Sequence, residues 1–164
     1  MGNNKKIVAA ISFVAVASFA AGAVWGQSAA KREPVITLLA DVKWQPLDPN
    51  AGAAGPQAAV VFGDMKKKAP IGLLFKVPGG DGGEAGLHTH SSDFYGVSIA
   101  GSFHNWAEGQ PEGPAITSGG FWMQPGKGVH NNSCDTKECI AFTYFPKGFD
   151  QQPAKAAPPA KKTP

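Results

Sequence analysis

The chain has 164 residues, 21 of them glycine and 14 proline, with a formal net charge of +3, a length that bounds it to one core with tails. Lys5, Lys6, Lys155, Lys161 and Lys162 lie near the ends, and without them the charge falls from +3 to −2. A mildly acidic body excludes the electrostatic footprint of a nucleic-acid binder.

The chain opens "MGNNKKIVAAISFVAVASFAAGAVWGQSAAKREP", with Lys5 and Lys6 ahead of an uncharged run from Ile7 to Trp25 and small residues offering cleavage after Gly26 or Ala30. This layout predicts a secretory signal peptide over residues 1–30. The run is also just long enough to span a bilayer, so an uncleaved anchor through residues 7–25 is the alternative. Its richness in Ala and Gly and poverty in Leu favour cleavage. No twin-arginine pair precedes the run, so export unfolded is expected. The mature protein is then periplasmic or secreted (alternatively anchored in the inner membrane), and any metal is loaded outside the cytoplasm.

The body, residues 31–150, reads as short strands. "VITLLA" (35–40), "AAVVFG" (58–63), "IGLLFKV" (71–77), "GLHTH" (86–90), "DFYGVSIAGSFHNWA" (93–107), "GGFWMQ" (119–124) and "CIAFTYF" (139–145) are β-branched and aromatic runs. Gly, Pro, Asn and Asp clusters separate them. The basic run Lys66 to Lys68 in "GDMKKKAP" reads as a solvated loop. There is no amphipathic helix of three turns and no internal repeat, so the fold class is all-β, an antiparallel sandwich or barrel. The last segment, 151–164, is "QQPAKAAPPAKKTP"; without large apolar residues it is expected to be a disordered tail.

Cys134 and Cys139 stand five apart in "NNSCDTKECIAF". In an exported protein this pair reads as a disulfide pinching a hairpin tip. The alternative is a pair of soft metal ligands, which needs two further ligands nearby.

Two of the four histidines, His88 and His90, are one residue apart in "GLHTHSSDFYG". Alternate residues of a strand share a face, about 6–7 Å apart at Cα, so both imidazoles can close on one ion. In the next strand Asp93, Tyr95, Val97 and Ile99 form the bulkier face, which is expected to point inward and to aim Asp93 and Tyr95 at the histidines. His130 follows a Pro-Gly turn in "GGFWMQPGKGVHNN", at the distance an antiparallel sheet needs to bring a third imidazole back. His104, in "GSFHNWAEG", is expected to be structural. The aromatic residues Trp106, Phe121, Trp122, Phe142, Tyr144 and Phe145 are expected first as core.

These residues resemble the two cupin motifs, G-x5-H-x-H-x3,4-E-x6-G and G-x5-P-x-G-x2-H-x3-N. Gly82, His88, His90 and Gly101 match the first, and Gly119, Pro125 and His130 the second. Over about residues 35–150 the chain is similar to single-domain ChrR-like cupins. The resemblance implies a jelly-roll barrel (a double-stranded β-helix) with one divalent transition metal, Zn, Fe, Mn, Ni or Cu, held by His88, His90 and His130. The chain departs from the pattern at three places. Phe94 or Tyr95 occupies the glutamate position, Lys127 a glycine position, and Cys134 the last asparagine. The fourth metal position therefore falls to Asp93, to Tyr95 or to water, and Asp93 and Tyr95 are also the candidate catalytic base.

Two functions follow from the resemblance. One is a metal-dependent enzyme, of dioxygenase or isomerase type, acting on a small chelating organic molecule. The other is a module that binds or senses a metal and small ligand without turnover. A metal-free scaffold is a third reading. The expected partner is a small molecule, with no nucleic acid, a membrane only if residues 7–25 remain, and a homodimer as a possible assembly.

Overall fold

β-branched and aromatic runs held between glycine and proline clusters extend into short strands, as the computed structural model shows over residues 33–80 and 85–155. The expected signal peptide, the motif glycine Gly82 and residues 156–164 lie outside the described residues. Among the described residues the strands are β1 (Gln45–Pro46), β2 (Gln57–Phe62), β3 (Ile71–Pro78), β4 (His88–Thr89) and β5 (Phe94–Ala100). They continue with β6 (Phe103–Ala107), β7 (Phe121–Gln124), β8 (His130–Cys134), β9 (Glu138–Phe145) and β10 (Gln152–Pro153). All pair antiparallel, in a six-stranded sheet ordered β1-β2-β3-β9-β5-β7 and a four-stranded sheet ordered β10-β4-β8-β6. The all-β expectation holds. No described helix is long and apolar enough to cross a membrane.

Ile71, Leu73, Phe94 and Phe145 form one buried cluster, and Val77, Phe103, Cys134 and Cys139 another, with Trp122 packed against both. The second cluster includes the disulfide, which joins Cys134 at the end of β8 to Cys139 near the start of β9.

Phe121, expected as core, is instead 80% exposed, and four further expectations change. "VITLLA" forms no ladder: Leu39–Asp41 is a 3-10 turn, and Val35, Ile36 and Leu38 are exposed. A β-prone run becomes a strand only where another strand receives it. The run 93–107 breaks in two at Gly101, which has φ 86° and where a Cβ would lie 2.6 Å from the Glu138 carbonyl; only glycine fits there. Gln152 and Pro153, placed by the sequence in the tail, pair with Thr89 and His88, and the Ala154 amide donates to the Leu87 carbonyl at 2.9 Å.

The fourth change concerns β5, whose faces are the reverse of those expected. Phe94, Gly96 and Ser98 are buried, whereas Tyr95, Val97 and Ile99 are exposed. The small face turns inward because neighbours fill it. Trp122 of β7 lies across Gly96, where a Cβ would run into the indole, and Phe94 stacks on Phe145 at 4.8 Å.

Candidate metal centre

β4 and β8 pair so that His88 stands directly opposite His130. His90, two residues beyond His88, projects to the same side. The turn that delivers His130 is tied down at three points. Lys127 takes φ 63°, the left-handed region that favours glycine, and its amide donates to the His90 carbonyl at 2.7 Å. Gly126 lies so close to the 91–93 turn that a Cβ would sit 2.6 Å from the Ser92 carbonyl carbon. The Gly126 amide donates to Asp93 Oδ1 at 2.8 Å.

Every one of the three rings is oriented by a backbone carbonyl. His88 Nδ1 donates to Gly86 O at 2.7 Å, His130 Nδ1 to Gly128 O at 3.1 Å, and His90 Nδ1 to Asp150 O. That places the proton on Nδ1 and leaves each Nε2 with a free lone pair. One nitrogen from each ring lies within 4.8 Å of the others. All three side chains are buried, and His130 Nε2 has no protein partner. Burial, the largest cause, lowers all three pKa values, to about 4 for His90 and for His130. Mutual repulsion adds to this, while the carbonyl hydrogen bonds oppose it. The rings are neutral at pH 7, the state that ligates metal.

The other predicted candidates are not at this centre. Asp93 and Tyr95 are exposed, on the outer side of β5, beside Lys127 and Lys147 in a separate surface depression. The inward aim expected for both is thus corrected by the reversed faces of β5. Among the described residues no carboxylate or thiol joins the three histidines. His104 points to the outside of β6, where Nδ1 donates to Gly113 O and Nε2 meets Asp135 Oδ2, both at 2.7 Å. The Gly113 bond first, then Asp135, raise its pKa. Both ring nitrogens are used, so a structural role accounts for it.

Two features escaped the sequence reading. Asp150 holds His90 through its carbonyl, and its carboxylate accepts from the Ser91 amide and hydroxyl at 3.1–3.2 Å. It is 60 residues from His90 in the chain, with no local signal. Gln124 is buried and accepts from Asn105 Nδ2 at 3.0 Å; strand alternation across "FWMQ" was the available clue.

Beside the histidines a cavity of about 480 Å³ runs between the sheets. Phe75, Phe94, Trp122, Phe145 and Phe149 wall it, with Asn105 and Thr143 as polar points. Among the described residues, apart from His88 and His90, the one ionisable lining residue is Asp48, which is exposed and accepts from the Asn50 amide.

Two antiparallel sheets enclosing three convergent imidazoles beside an aromatic cavity are the architecture of the cupin class of fold. The donor set fits a divalent transition metal, since neutral imidazoles favour such ions over Mg or Ca. The carbonyl bonds to Nδ1 are the supporting contacts such ligands use. Within that class the chain belongs to the family described as a domain of unknown function (DUF4437), whose model matches residues 35–164.

None of the curated proteins matches. Among solved structures the chain is similar to KdgF from Halomonas sp. (TM-score 0.55, 18% identity, 72% of this chain and 97% of that one). It is also similar to the DMSP lyase DddQ from Ruegeria pomeroyi DSS-3 (0.57, 15%, 71% and 63%). A third is an RmlC-like cupin from Shewanella frigidimarina NCIMB 400 (0.54, 15%, 71% and 93%). At such identities the likeness is one of fold.

Proposed function

We propose that His88, His90 and His130 hold one divalent transition metal through Nε2, and that the cavity presents a small organic molecule to it for dioxygenase-type chemistry. One observation carries the reading. Each Nδ1 is committed to a carbonyl, so three lone pairs converge, and the buried Nε2 of His130 has no other partner. Three protein ligands leave positions open for a chelating ligand, which the metal polarises and activates when bound. Phe94, Phe145 and Phe149 would exclude water, and Asn105 and Thr143 would orient the ligand. Among the described residues no Lys or Arg lines the cavity, which supports an uncharged enol or diketone over an anionic substrate.

Among the described residues the one carboxylate lining the cavity is Asp48, exposed and engaged by the Asn50 amide, which weighs against isomerase-type chemistry, since that needs a base free to move a proton. The same observation favours the second reading, a cupin that binds metal and ligand without turnover. The Cys134–Cys139 disulfide supports an oxidising compartment, in keeping with export, with residues 1–30 removed or kept as an anchor.

The test is metal content and oxygen uptake on the purified full chain. His88→Ala, His90→Ala and His130→Ala should each lose most of the metal, and His104→Ala should keep it. Oxygen consumption with an uncharged β-diketone, abolished by His130→Ala, supports the enzyme. Tight ligand binding without uptake selects the binding module. A triple histidine variant that holds metal as well as the wild type overturns the site.

A further inference from the structure

Asn105 and Trp122 both line the cavity, and among the described residues Asn105 Oδ1 and Trp122 Nε1 are buried without a hydrogen-bond partner. Buried polar groups are ordinarily satisfied, so an orphaned acceptor and an orphaned donor on one cavity wall need a partner that the chain does not supply. Neither can turn to find one. The bond between Gln124 of β7 and Asn105 of β6 crosses from one sheet to the other, and its polarity is set from behind. Gln124 Nε2 donates to the Pro125 carbonyl at 3.5 Å, so Oε1 faces Asn105 and accepts from Nδ2 at 3.0 Å. Asn105 is left to present Oδ1, which can only accept. The Trp122 indole rests on Gly96 and is stacked by Phe103 at 4.9 Å, and its N–H can only donate.

We propose that Asn105 and Trp122 form a specificity subsite for an alcohol or phenol hydroxyl at the far end of the ligand, an assignment that rests on the metal centre proposed above. A hydroxyl donates one hydrogen bond and accepts others, so it is the smallest uncharged group that satisfies both orphaned atoms. Register fixes how far from the metal it stands. Asn105 pairs with Asn132, two residues beyond His130 on β8, which is one strand repeat, about 6–7 Å, from the metal ligands. The aromatic walls Phe94 and Phe145 suit a flat apolar spacer over that distance. A carboxylate is disfavoured at the same place, because Oδ1 would face it lone pair to lone pair. The ligand class is therefore a chelating diketone or enol whose far end, across an aromatic ring, carries a neutral hydroxyl.

The test is equilibrium binding of 1-phenylbutane-1,3-dione and its 4-hydroxyphenyl and 4-methoxyphenyl counterparts to the metal-loaded full chain, with metal content measured in parallel. The wild type should bind the hydroxyphenyl compound at least about 10-fold more tightly than the phenyl one. It should also prefer it to the methoxyphenyl compound, which accepts a hydrogen bond but cannot donate one. Asn105→Leu keeps the bulk of the side chain and Trp122→Phe keeps an aromatic ring, so both should retain metal, while the hydroxyl preference falls below about 3-fold. Gln124→Leu frees the Asn105 amide to turn Nδ2 into the cavity, and should narrow the preference for hydroxyl over methoxy. A metal-loaded wild type that binds the hydroxyphenyl and phenyl compounds alike overturns the subsite and leaves the metal centre standing. A preference that survives both Asn105→Leu and Trp122→Phe does the same. A chain that takes up no metal overturns the centre, and the subsite with it.

Discussion

Acid should destabilise the metal-free protein through the same burial that makes its histidines good ligands. His90 and His130 fall to about 4 in the folded chain, against about 6.5 when unfolded. A depressed histidine pKa means that the unfolded chain binds more protons, so stability is full above the unfolded value and falls as pH drops through 6.5 toward 4. At about pH 5 each ring costs about 2 kcal/mol, or about 4 for the pair, at 1.36 kcal/mol per unit. His88 is shifted the same way and steepens the loss. Measured against total stabilities of about 5–15 kcal/mol, this is a large fraction. Urea unfolding of chelator-treated protein near neutral pH and near pH 5 reads it directly. His104 cannot be the source. Its raised pKa gives a contribution that is full below the unfolded value and lost as pH climbs through the folded one. An unfolding midpoint that is equal or higher in acid would refute the reasoning. Restoring metal at neutral pH should raise the midpoint, and acidification should release the ion as protons compete for the three Nε2 atoms.

Two further substitutions probe the turn that carries His130. Lys127→Gly relieves a left-handed backbone costing about 1–2 kcal/mol for a residue with a side chain, against about 0.5–1 for glycine's extra freedom when unfolded. The net gain should be about 0.5–1 kcal/mol, read as a higher thermal midpoint with metal content unchanged. Asp93→Ala removes the acceptor for the Gly126 amide and should cost about 1 kcal/mol while metal stays bound; loss of the metal would return Asp93 to the ligand set.

The cupin resemblance and the three histidines were legible because their signals are local. H-x-H puts two rings on one side through strand alternation, and "PGKG" marks the turn that delivers a third. What was not legible depends on partners far along the chain. The inward face of β5 is chosen by Trp122 lying over Gly96, and no count of bulky residues within 93–100 contains that fact. His90 is oriented by Asp150, 60 residues away, and "VITLLA" has the composition of a strand but no described strand to pair with. The β5 reversal has two consequences from one cause. By turning Phe94 inward it packs an aromatic edge 4.7 Å from the His90 ring, where a cupin glutamate would otherwise be expected, and so leaves the centre to imidazoles. The same turn sends Tyr95 and Val97 outward, where both are exposed on the outer side of the sheet. The carboxylate-free metal centre and the outward Tyr95 and Val97 therefore follow from a single choice of which side of β5 faces the core.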